Sequence, residues 1–93
     1  MSTQSNLSTH TNSRHLIAAY LDAWLEEAPE DATGIARALG DIARAKGMTQ
    51  VARDAGLSRE SLYKALGENG NPTFATVLKV ARALGVWFHA QVA

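Results

Sequence analysis

The sequence predicts an all-α domain of five helices, closed by a short β-strand at the C-terminus. Three observations carry that prediction. Apolar residues recur at three-to-four spacing through most of the chain. Proline or glycine follows each periodic segment, at Pro29, Gly47, Gly56, Gly67 and Gly85. Only the last eight residues, VWFHAQVA, change period: Val86, Phe88, Ala90 and Val92 alternate with Trp87, His89, Gln91 and Ala93.

Residues 1–13 are mostly Ser, Thr and Asn, with little to bury, and are expected to be disordered. Residues 14–93 then make one domain. Ser13 can cap a helix from Arg14 to about Ala28. Leu16, Ile17, Tyr20, Leu21, Trp24, Leu25 and Ala28 give that helix one apolar face, and Pro29 ends it. Asp31 is the candidate cap of a second helix, Ala32–Lys46, with Ile35, Leu39, Ile42 and Ala43 as its buried stripe. Gly40 sits inside it at a cost of about 1 kcal/mol relative to Ala, which predicts a close neighbour there.

A third helix is expected from Thr49, as its cap, to Ala55, and a fourth from Arg59 to Leu66, capped by Ser58. Gly56 makes the turn between them, because a positive φ costs glycine nothing. Residues 67–72 (GENGNP) are dense in turn formers. Thr73 caps a fifth helix, Phe74–Leu84, with Val77, Leu78, Ala81 and Leu84 inward and Phe74 and Val80 flanking.

Composition removes several function classes. The chain has 93 residues and no cysteine, so disulfide staples, zinc-finger chemistry and cysteine nucleophiles are excluded. No run of about 18 apolar residues exists to span a membrane. The polar N-terminus lacks an apolar signal core, so the expected location is the cytoplasm. His10, His15 and His89 are scattered, and Glu26–Glu27 reads as helix surface. No H-x-x-H pair or glycine-rich phosphate loop appears, so neither an enzyme, a metal nor a cofactor is expected.

Net charge is zero, but its distribution is uneven. Residues 1–31 set Arg14 against Asp22, Glu26, Glu27, Glu30 and Asp31, a balance of −4. Residues 32–93 set eight Lys and Arg against four carboxylates, a balance of +4. An acidic helix joined to a basic domain predicts two faces with different partners.

The basic half contains Met48–Gly67 (MTQVARDAGLSRESLYKALG). Ala52 stands four residues before Gly56. Val51, Ala55, Leu57, Leu62 and Ala65 occupy the positions that must be apolar if two helices joined at Gly56 are to cross. This is the outline of a helix-turn-helix, whose second helix reads base edges in the DNA major groove. That helix leaves Arg59, Glu60, Tyr63 and Lys64 outward, with Ser58 and Ser61 at the entering end. Arg59 suits a guanine edge, and Glu60 suits a cytosine amino group or the orientation of Arg59. Tyr63 and Lys64 suit thymine methyls and phosphates. Ser58, Thr73 and the free N–H groups they cap suit phosphates. A solvated helix face would also be polar, but it would not require Ala52, Gly56 and five apolar positions in phase.

These residues resemble the Cro/C1-type (XRE) helix-turn-helix family, whose last core helix is similar to N-P-T-F-A-T-V-L-K-V-A-R-A-L-G, Asn71 to Gly85. From Ala38 to Gly85 the closer resemblance is to the addiction-module antidote proteins, the HigA-like antitoxins. Their pattern A-L-G-D-I-A-R-A-x-G-M-x-Q, then G-L-S-R-E-x-L-Y-K-A-L, then G-N-P-x-F-x-T-V-L-K-V-x-R-A-L-G is matched almost without gaps. The resemblance implies a lambda-repressor-like fold and a dimeric antitoxin. Such a protein silences a RelE/HigB-like toxin and represses its own operon from a palindromic operator. Cro-type domains place a phosphate-holding glutamine four residues before the first motif alanine. Here that position is Met48, and Gln50, two residues before Ala52, is the displaced candidate.

Two surfaces complete the expectation. The acidic helix Arg14–Ala28 is the candidate toxin-facing element, with Tyr20 and Trp24 either as anchors or as core residues. A lone strand cannot satisfy its own backbone, so residues 86–92 are expected to pair with the same strand of a second copy about a two-fold axis. Val86, Trp87, Phe88 and Val92 would form that dimer interface; the plainer alternative is a tail whose aromatics cover the core. Other functions compatible with the sequence are a stand-alone repressor with no toxin and a pure protein-interaction module.

Overall fold

Among the described residues five helices form, in the order α1 (Ser2–Glu27), α2 (Ala32–Lys46), α3 (Met48–Ala55), α4 (Arg59–Leu66) and α5 (Phe74–Ala83). The computed structural model describes the backbone of residues 2–93 and the side chains of residues 14–93. The expectations placed on residues 1–13, disorder and a cap at Ser13, lie outside the fully described residues.

Local chemistry sets most of the helix boundaries. The Asp31 carboxylate accepts the Gly34 N–H at 2.8 Å and starts α2. The Ser58 hydroxyl accepts the Ser61 N–H at 3.0 Å and starts α4. The Thr73 hydroxyl accepts the Thr76 N–H at 3.1 Å and starts α5. Each satisfies an N–H that the helix itself leaves without a partner. Gly47, Gly56 and Gly85 all take positive φ and stop α2, α3 and the turn after α5.

Boundaries differ from expectation in three helices. α1 spans Ser2–Glu27, against the expected span from Arg14 to about Ala28. α3 begins at Met48, with Gly47 rather than Thr49 at its cap. Met48 is buried in the core, and that tertiary contact outweighs the capping preference of Thr49. α5 ends at Ala83, where Leu84 turns out of the helix.

One core joins all five helices. Leu21 of α1, Ala38, Leu39 and Ala43 of α2, Met48, Val51 and Ala52 of α3, Leu62 and Leu66 of α4, and Val80 and Leu84 form it. Ile17, Trp24, Ile42, Leu57, Val77 and Val86 pack on its edge. α2 runs through the middle, touching α1, α3, α4 and α5, and α3 packs against α5. The close neighbour expected at Gly40 is the backbone of α4: a Cβ there would lie 2.8 Å from the Leu66 carbonyl oxygen. Gly40 thus sets how near α4 approaches α2.

The phase of α5 differs from the sequence reading. Val80 is fully buried, whereas Leu78 faces outward and Phe74 is 73% exposed. The inward set Val77, Val80, Ala81 and Leu84 is itself a three-to-four series, rotated from the one that included Leu78.

The C-terminal strand does not form. Among the described residues no strand exists, and residues 86–93 follow α5 as irregular chain. The Val86 N–H bonds back to the Ala81 carbonyl at 3.0 Å, and Gly85 has φ 85°. That turn folds Val86 onto the core instead of launching an extended segment. An alternating stretch becomes a strand only beside another backbone, and one chain offers none here. No described helix is long and apolar enough to cross a membrane.

Candidate nucleic-acid interface

The turn between α3 and α4 is built by backbone bonds around one left-handed residue. Gly56 adopts φ 71° and ψ 30°. Its N–H bonds to the Arg53 carbonyl at 3.1 Å, and the Leu57 N–H bonds to the Ala52 carbonyl at 2.9 Å. Leu57 drops onto the core edge, and Ser58 opens α4 in a new direction. A side chain at Gly56 would meet no neighbour, so its backbone conformation is what the position requires.

Leu62 and Leu66 then fix the rotation of α4, both being fully enclosed. With that face inward, Ser58, Arg59, Glu60, Ser61, Tyr63 and Lys64 are all exposed. The expected inward Ala65 is only half-buried, and Leu66, which the sequence reading left out, takes the core position.

These side chains are not independent. The Arg59 guanidinium lies 5.3 Å from the centre of the Tyr63 ring. Its Nη2 donates to the Tyr63 hydroxyl at 3.4 Å. Ser58 donates to the Ser61 hydroxyl at 2.8 Å, so both serines serve the start of α4. The spacing of four between Arg59 and Tyr63 was the available signal for their pairing.

Gln50 and Thr73 lie on other elements, in the first turn of α3 and at the cap of α5. Gln50 Nε2 donates to the Asp54 carboxylate at 2.9 Å. That bond ties the amide to a negative charge, which opposes phosphate at the same spot. Thr73 also donates to the Thr76 hydroxyl at 3.1 Å. Among the described residues the one ion pair is Arg44–Asp41 at 2.7 Å, on the surface of α2. The lysines and arginines of α3 to α5 are therefore not neutralised by close carboxylates.

The other expected surfaces divide. Tyr20 is 43% exposed, but Trp24 is half-buried at the core edge. A Cβ on Gly34 would meet Trp24 Cζ3 at 2.5 Å, so that ring fills the space the glycine leaves. In the tail, Val86 and Phe88 are half-buried, whereas Trp87 and Val92 are 87% and 95% exposed.

Fold and site together define a small all-helical domain built around a helix-turn-helix, with a polar face on the second helix of the pair. Residues 2–92 match the family described as "Probable addiction module antidote protein", and the chain belongs to that family. It is also similar to an uncharacterized protein of Haemophilus influenzae, 52% identical over 86 residues, which span 92% of this chain and 87% of that one. No solved structure matches the chain. Membership of an antidote family points to an antitoxin role and implies a toxin partner of some kind.

Proposed function

We propose that this protein is the DNA-binding antitoxin of a type II toxin–antitoxin module. In this reading it neutralises a RelE/HigB-like toxin and represses its own operon in the cytoplasm. It acts as a HigA-like, Cro/C1-type homodimer on a palindromic operator, by binding and without catalysis. The antidote family supports the antitoxin half. The DNA half is carried by one observation. Leu62 and Leu66 lock α4 so that Arg59, Tyr63 and Lys64 project outward together.

Roles follow from chemistry. Arg59 grips a guanine edge and Lys64 a phosphate, while Ser58 and the first turn of α4 meet the backbone. The exposed Trp87 and Val92 supply the apolar surface by which two copies join. Tyr20 and the acidic side of α1 face the toxin.

The test is binding to duplex DNA from immediately upstream of the gene. The dimer should protect two half-sites about 34–36 Å apart, centre to centre. Affinity should fall roughly 1,000-fold between 50 and 200 mM salt if about six phosphates are contacted. Equal affinity for unrelated duplexes at every salt concentration would contradict the operator reading.

A further inference from the structure

Arg59 and Tyr63 stand one turn apart on the exposed face of α4, the arginine over the tyrosine ring at 5.3 Å. Glu60 was the other candidate to orient Arg59. It lies about 100° further round the helix and makes no ion pair with it. The hydrogen bond to the Tyr63 hydroxyl, at 3.4 Å, is long, so the cation–π attraction carries more of the contact.

We propose that Tyr63 is a positioning residue for base readout, holding the Arg59 guanidinium in place to grip a guanine edge. The proposal rests on the DNA-binding reading above and deepens it. The guanidinium is engaged by the tyrosine through the ring and through one N–H, that of Nη2. Most of its N–H edge stays open to a paired acceptor such as guanine O6 and N7. An arginine already held on a ring loses less freedom when it engages the base, so more of that contact appears as discrimination. Tyr63 then acts through Arg59 and does not itself read sequence.

The experiment begins with selection from a pool of randomised duplex DNA by the wild-type protein. Affinity is then measured for the selected duplex and for one carrying 7-deazaguanine, which lacks the N7 acceptor, at the guanine assigned to Arg59. The wild type should prefer guanine. Tyr63→Phe keeps the ring and should retain that preference within about twofold. Tyr63→Leu removes the ring and should weaken it by about two- to fivefold. In an Arg59→Ala background, Tyr63→Leu should change nothing further.

Equal loss on both duplexes, persisting in the Arg59→Ala background, would overturn the proposal by showing that Tyr63 touches DNA itself. So would an unchanged guanine preference in Tyr63→Leu. Failure of the wild type to enrich any sequence would overturn the DNA reading and this proposal together, and that outcome is distinct from the other two. Tyr63 is 43% exposed, so both variants should unfold at the wild-type temperature.

Discussion

Alanine at both Arg59 and Lys64 will abolish sequence-specific operator binding without unfolding the protein. Both side chains are exposed and neither belongs to the core. Alanine is also the strongest helix former, which offsets the loss of the Arg59–Tyr63 contact, about 0.2–0.5 kcal/mol. Removing a bidentate arginine–guanine contact costs about 1–3 kcal/mol of discrimination. Removing a phosphate contact weakens binding to all sequences and lowers the salt slope by about 1. The combined loss should be roughly 100-fold or more in a titration of labelled operator, with an unchanged melting curve. Sequence-specific binding that survives in the double variant would remove α4 from its assigned role.

Leu62→Ala should act in the opposite way, through stability. Leu62 is 0% exposed and sits in the core on the helix that packs against α2 and α3. Leucine-to-alanine changes at such sites cost about 2–5 kcal/mol, from lost transfer energy plus the cavity left behind. Domains of this kind have only about 5–15 kcal/mol in total. At about 4–8 °C per kcal/mol the melting temperature should fall by roughly 8–40 °C. DNA binding should weaken with it, because Leu62 is what holds the polar face of α4 outward. A fall of only a degree or two in a calorimetric scan would show that α4 does not depend on this anchor. The two variants thus separate the face that binds from the face that positions it.

What was legible in the sequence was mostly local. Asp31, Ser58 and Thr73 cap helices because each side chain reaches a backbone N–H three residues on, a distance the sequence states directly. Gly56 was legible for the same reason, since its φ is a property of one residue. Gly40 signalled a close neighbour by its cost inside a helix, but only the fold shows that the neighbour is the Leu66 carbonyl.

The misses are tertiary. Val80 and Leu78 are both good apolar residues, and only packing against α3 decides which one turns inward. Thr49 is a sound cap, yet burying Met48 moves the cap of α3 two residues earlier, to Gly47. The alternation at 86–92 is real, but pairing is not written in one strand, and the turn at Gly85 carries Val86 to the core. At the candidate interface the outward row of α4 was readable from periodicity. The choice of Tyr63 over Glu60 as the partner of Arg59 needed side-chain geometry. The spacing of Trp24 could not separate anchor from core, and its contact with Gly34 places it at the core edge.

The central claim is that this protein is an antitoxin, and growth tests it most directly. The small open reading frame beside the gene is induced alone, and then together with this protein, while culture density is followed. Arrest is expected in the first culture and relief of that arrest in the second. Uninterrupted growth with the neighbour shown to be expressed, or an arrest that this protein leaves untouched, would contradict that claim.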